Sequence, residues 1–118
     1  MCAEGGTGDW HSEVIFVSDD PKGPYTPAPS NPILSQRYLN PERDNFVDWA
    51  GHADIVETPD GDHYAVFLAV RPNEAKRVNT GRETFILPVD WSGEFPVFEN
   101  GLIPFEPKLK MPVGVVNK

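Results

Sequence analysis

These 118 residues predict an all-β chain built of short strands. Three observations lead there. No stretch of ten or more residues repeats its apolar positions at the 3.6 spacing of a helix. The apolar runs are short and rich in β-branched and aromatic residues. Thirteen prolines and ten glycines punctuate the chain, too densely for long regular elements.

The elements follow in order. Glu13 to Ser18 (EVIFVS) reads as a strand. Asp20 to Asn31 is a Pro-rich connection, Ile33-Leu34 starts a short strand, and Arg37 to Trp49 reads as a polar loop. Ala53 to Glu57 (ADIVE) and His63 to Val70 (HYAVFLAV) make a hairpin across the turn TPDGD. Pro59 suits the second turn position, and Asp60-Gly61 suits the positive φ of hairpin turns. In the return strand Tyr64, Val66, Leu68 and Val70 share one face, and Ala65, Phe67 and Ala69 the other. A strand apolar on both faces expects a layer on each side. After a polar loop at Asn73 to Thr80, Arg82 to Val89 (RETFILPV) forms a further strand. Asp90 to Gly93 turns the chain into a strand at Phe95 to Phe98, and Asn100-Gly101 turns it again. Pro104 to Lys118 reads as an irregular tail behind a 1–103 module.

Composition narrows the partners. The formal net charge is −8 and the ten Lys and Arg residues are scattered. Nucleic acid and anionic membrane call for clustered positive charge, so neither is expected as a partner. No apolar run reaches the 18 residues of a membrane span. The opening residues lack the basic-then-apolar pattern of a secretory signal. Cys2 is the single cysteine, so no internal disulfide forms, and no Cys/His zinc spacing occurs. The compartment is not readable from the chain.

Three places look over-specified for packing alone. In Glu4-Gly5-Gly6-Thr7-Gly8 the glycines permit backbone conformations closed to other residues and close approach by a ligand; the alternative is a Gly-rich turn with Glu4 in water. In Gly51-His52-Ala53-Asp54 the histidine stands between small neighbours ahead of a strand. It suits a ligand, a metal-bound water or a buried hydrogen bond. In Gly81-Arg82-Glu83-Thr84 the planar guanidinium suits a carboxylate or sugar hydroxyls, against a plain Arg82–Glu83 surface pair. Trp10, Trp49 and Trp91 offer faces for sugar stacking or for strand-end packing. Asp9, His11 and His63 are weaker candidates.

Taken in order, these stretches resemble one family. Ala3-Glu4-Gly5-Gly6-Thr7-Gly8, Gly23-Pro24-Tyr25, Asn31-Pro32-Ile33-Leu34, Gly51-His52-Ala53-Asp54 and Gly81-Arg82-Glu83-Thr84-Phe85 are similar to motifs of glycoside hydrolase family 43. The likeness is to its β-xylosidase and α-L-arabinofuranosidase members and extends to about Gly101. It implies a five-bladed β-propeller, of which this chain holds about two blades. It implies inverting hydrolysis of xylosides or arabinosides, with a xylo- or arabino-oligosaccharide as the partner. Inversion needs an acid to protonate the leaving oxygen and a base to activate water, on carboxyls roughly 6.5–9.5 Å apart. The resemblance places the general acid on Glu4. It places substrate-binding residues on His52 and Arg82, the arginine also touching the acid. A central calcium ion lies near the histidine in some members; no other metal or cofactor is implied.

The resemblance is incomplete. In the family the general-base aspartate and a second aspartate that tunes the acid precede the EGGT stretch. None of Asp9, Asp19, Asp44, Asp48 or Asp54 occupies their motifs. The expectation is therefore part of a catalytic module, a truncated product inactive by itself. The other expectation is a non-catalytic β module that binds carbohydrate or pairs with another chain through open sheet edges.

Overall fold

The computed structural model describes residues 1–73, 78 and 80–106. Nine strands and no helix occur among them. β1 (Cys2–Glu4), β2 (Ser12–Val14) and β5 (Leu34–Ser35) form one sheet in the order β1-β2-β5. β3 (Phe16–Val17) and β4 (Thr26–Pro27) pair with each other. β6 (Asp48–Glu57), β7 (His63–Val70), β8 (Glu83–Asp90) and β9 (Val97–Phe98) form a four-stranded meander. All pairings are antiparallel.

The predicted hairpin is present, and local chemistry explains it. The Thr58 amide donates to the Asp62 carbonyl at 2.8 Å, and the Gly61 amide to the Thr58 carbonyl at 2.9 Å. Gly61 sits at φ 88°, where a side chain would be strained. β6 is longer than expected. It reaches back to Asp48 through two irregularities in its pairing with β7, one on each side of Gly51. Trp49 and His52 take positive φ there, and such bulges have no signature in an apolar pattern.

The predicted Glu13–Ser18 strand divides at Ile15 between β2 and β3, which belong to different sheets. The reason is a side chain acting as a strand. Asn31 accepts from the Ile15 amide at 2.8 Å and donates to the Ile15 carbonyl at 2.7 Å. That carbonyl also accepts from the Ala28 amide at 2.9 Å. The Pro-rich connection likewise contains β4, which the sequence reading placed in a loop.

Side-chain alternation puts the core on one face of the meander. Ala65, Phe67 and Ala69 of β7 are buried there with Leu87, Val89 and Phe98, against Ile15, Ile33 and Leu34 from the smaller sheets. The other face of β7 is covered only at its ends. Tyr64 and Val70 are buried, whereas Val66 and Leu68 are half-buried, and Val56 and Ile86 beside them are exposed. A layer is thus present on one side and incomplete on the other. Of the expected tail only 104–106 is described. Phe105 packs into the core, with ring centroids 5.5 Å from Phe67 and 6.0 Å from Phe85. The Gly101 carbonyl accepts from the Ser35 amide at 3.0 Å and joins the end of the meander to β5.

Candidate active site

Glu4 ends β1, opposite Ser12 of β2. The chain reverses immediately afterwards, with Gly5 at φ 73° and Gly6 at φ 62°. A Cβ on Gly5 would lie 2.0 Å from the Trp10 carbonyl oxygen, so the returning backbone leaves room for glycine alone. The glycines therefore have a structural purpose: they fold residues 8–11 back onto β1 and bring Ser12 to the glutamate. The Ser12 hydroxyl donates to Glu4 Oε1 at 2.8 Å. Arg37 Nη1 donates to the same oxygen at 3.1 Å and to the Trp10 carbonyl at 2.9 Å. The Glu4 side chain keeps 44% of its surface open while the Arg37 side chain keeps 14%. Glu4 is thus a reachable carboxyl oriented by a nearly buried cation, and not a side chain free in water.

The opposite face of β2 supports the second motif. His11 is buried, and its Nδ1–H donates to the Trp49 carbonyl at 2.8 Å, since a carbonyl can only accept. Its ring lies against Gly51, where a Cβ would stand 2.8 Å from Nε2. Glu13 is also buried, and its Oε2 accepts from the Ala53 amide at 2.9 Å. Burial pushes the Glu13 carboxyl above the usual carboxylate range, although the Ala53 and His52 amides and the His11 ring pull the other way. These two side chains hold the irregular segment of β6 that carries His52 at φ 55° with its side chain exposed. β2 therefore serves both motifs, Glu4 through Ser12 and the His52 segment through Glu13.

Three comparisons bear on this arrangement. Residues 1–96 match the profile described as "Glycosyl hydrolases family 43". The chain belongs to glycosyl hydrolase family 43. It is 47% identical over 94 residues to the non-reducing end alpha-L-arabinofuranosidase BoGH43B of Bacteroides ovatus, covering 80% of this chain and 17% of that protein. It is 37% identical over 109 residues to the xylosidase/arabinosidase 43B of Humicola insolens, covering 88% of this chain and 19% of that protein. Among solved structures, a GH43_12 protein retrieved from a capybara gut metagenome superposes with a TM-score of 0.85 at 63% identity. That match covers 97% of this chain and 20% of the other. The chain spans about a fifth of the length of these relatives.

In this family 43 chain the predicted residues do not all meet. The guanidinium on Glu4 belongs to Arg37. Arg82 precedes β8, is exposed, and forms no hydrogen bond or ion pair among the described residues. The Arg82–Glu83 surface pair considered from sequence is not formed either. Glu83 is bound by Arg71, through Nε at 3.0 and 3.2 Å as well as through Nη2, and by the Thr80 hydroxyl at 3.2 Å. Arg71 holds the Glu83 carboxyl below its usual range. Asp9 accepts from Trp49 Nε1 at 2.8 Å, and His63 stands edge-on to Trp91 at 5.5 Å.

Calcium takes roughly six to eight oxygen ligands. Among the described residues no cluster of three or more His, Cys, Asp or Glu side chains is arranged to hold an ion. His52 offers a single nitrogen and no oxygen.

Sequence reasoning passed over Arg37, Ser12 and Glu13. Ser12 and Glu13 carry a usable signal: in HSEVIF, polar residues adjoin a strand apolar on both sides. Arg37 gives none, because its partner lies 33 residues away.

Proposed function

We propose that this chain is the part of an inverting family 43 glycosidase module that carries the general acid, Glu4. One observation supports this best: an accessible carboxyl held by a serine hydroxyl and a nearly buried arginine. A catalytic acid must present one oxygen along a fixed direction to the glycosidic bond. Glu4 Oε1 is engaged by Ser12 and Arg37, which leaves Oε2 to deliver the proton. The names of the relatives suggest the substrate class, xylosides and arabinosides. His52, exposed on a braced segment, and Arg82, a cation without a hydrogen-bond or ion-pair partner among the described residues, suit sugar hydroxyls. The base aspartate and the aspartate that tunes the acid would come from outside these 118 residues. In this reading the four-stranded meander is one propeller blade and the smaller sheets belong to a neighbouring one, within a five-bladed ring. The catalytic module would run through residue 103.

Incubating the purified chain with 4-nitrophenyl xyloside and arabinofuranoside tests the assignment. No turnover is expected, because an acid without its base cannot carry out the inversion. Clear turnover that disappears in Glu4→Gln would refute the division of labour.

A second reading rests on the open face around Val56 and Ile86 and on β1, an exposed strand at a sheet edge. Uncovered apolar surface and unpaired strand edges favour association. Light scattering after size exclusion checks this: a concentration-dependent mass above 13.1 kDa supports self-association, and an invariant monomer removes it.

A further inference from the structure

We propose that Glu13 is a positioning residue of the candidate site: its buried carboxyl holds the second bulge of β6 and so sets the direction in which His52 leaves the strand. That His52 then meets sugar rests on the function proposed above; the positioning rests on the contacts alone.

The register locates the bulge. From Gly51 to Asp54 β6 advances three residues, while β7 advances two, from Leu68 to Val66. One residue is therefore in excess at 52–53, and a bulge leaves the extra residue without a ladder partner. His52 takes φ 55° there. Positive φ is uncommon for a residue other than glycine and persists only where the surroundings over-determine it. Glu13 supplies that constraint. Its Oε2 accepts from the Ala53 amide at 2.9 Å, and the His52 amide also favours its ionised form. The carboxyl stands in for the strand partner that the bulged backbone has lost.

The reach of Glu13 is itself fixed. Its backbone pairs with Ala3 on one side and Leu34 on the other, and its carbonyl accepts from the Ile33 amide at 2.9 Å. The residue is 1% exposed, and all of these contacts are internal to the described residues. The first bulge is held by other groups. There Trp49 takes φ 54°, its amide donates to Asp48 Oδ1 at 2.9 Å, and its carbonyl accepts from His11. Glu13 thus acts on His52 separately from Trp49. Successive residues of a strand face opposite sides, so Ser12 turns to Glu4 and Glu13 to the His52 segment. One step along β2 then sets the acid and the histidine relative to each other. A carboxylate, a protonated carboxyl and a carboxamide each keep an accepting oxygen, so the bulge needs reach more than charge.

The test is NMR on the ¹³C,¹⁵N-labelled 118-residue chain. A positive φ brings an amide proton close to its own Hα and gives a strong intraresidue NOE. The parent should show that NOE at His52 and Trp49, with a through-hydrogen-bond coupling between the Ala53 nitrogen and Glu13 Cδ. Glu13→Gln keeps an oxygen at the same reach and should retain the His52 NOE. Glu13→Asp, shorter by one methylene, and Glu13→Ala should lose it while Trp49 keeps its own. Val14→Ala, at the buried neighbour on β2, should lower the urea midpoint and leave the His52 NOE intact; a merely stabilising Glu13 would not separate these variants. An unchanged His52 NOE in a folded Glu13→Ala or Glu13→Asp chain overturns the proposal. So does its loss in Val14→Ala or Glu13→Gln, or a parent without the coupling. If the Ala and Asp variants do not fold, the parent coupling and Glu13→Gln decide. Failure of the sugar reading looks different: the NOEs would follow Glu13 as stated, while His52→Ala in an active longer protein would leave KM for 4-nitrophenyl arabinofuranoside unchanged.

Discussion

Gly51→Ala isolates one steric contact. The φ of Gly51 lies outside the left-handed region, so alanine meets no backbone penalty there. Its Cβ would stand 2.8, 2.9 and 3.0 Å from three atoms of the His11 ring, where ordinary contacts are about 3.5–4.0 Å. The imidazole cannot retreat freely, being buried and bonded to the Trp49 carbonyl. Overpacking of this kind costs about 1–3 kcal/mol. Losing the buried hydrogen bond adds about 0.5–1.5 kcal/mol. Gly51→Ala should therefore destabilise the chain by about 2–4 kcal/mol, read as a lower urea midpoint at unchanged m. The decisive comparison is with His11→Ala, which removes the obstacle. Adding Gly51→Ala to that background should cost under about 0.5 kcal/mol, a coupling of about 1.5 kcal/mol or more. Equal costs in both backgrounds would refute the reasoning.

Three further outcomes follow from the same geometry. Gly5→Ala combines a left-handed φ with a 2.0 Å clash and should cost about 3 kcal/mol or more in thermal melts. Gly6→Ala, with the same handedness but open space around it, should cost only about 1 kcal/mol; equal costs would contradict the packing of Trp10 on Gly5. Glu13 binds its proton more tightly folded than unfolded, so its contribution is present below the ordinary carboxylate pKa and is lost as pH rises through the elevated one. Melts across that window should show stability falling with pH, less steeply in Glu13→Gln; some slope remains because burial raises Asp48 as well. Phe105→Ala should cost about 3–5 kcal/mol in urea titrations, a loss that a residue outside the core would not show.

How much was legible in the sequence depended on how local the cause was. The hairpin at 58–62 was readable because Pro59, Asp60 and Gly61 act within five residues. β7 and β8 were readable because their apolar content is continuous. β1 was not: its three residues are all exposed, and only pairing with β2 makes them a strand. The division of EVIFVS was hidden because the cause, Asn31, is 16 residues away and acts through a side chain. At the site, the glycines and Glu4 were visible, but the reason for the glycines was not. It lies in the Trp10 backbone above Gly5 and the His11 ring above Gly51. A buried glutamate in a strand looks like any outward-facing one until the amides of β6 are placed over it, so Glu13 was passed over.

The Asn31 clamp has an architectural consequence. It fastens Ile15 from both sides, and Ala28 closes the same junction. The ribbon of β3 and β4 then leaves and re-enters through one fixed gate. Its strands pair only with each other, while β2 pairs with β1 and β5. Replacing 19–24 by a two-residue turn should preserve the amide shifts of Ser12–Val14 and Leu34–Ser35, and displacement of those shifts would show that the gate depends on its loop. A ribbon hung on such a gate should tolerate a change of length without disturbing β2, whose Ser12 and Glu13 brace Glu4 and the His52 segment.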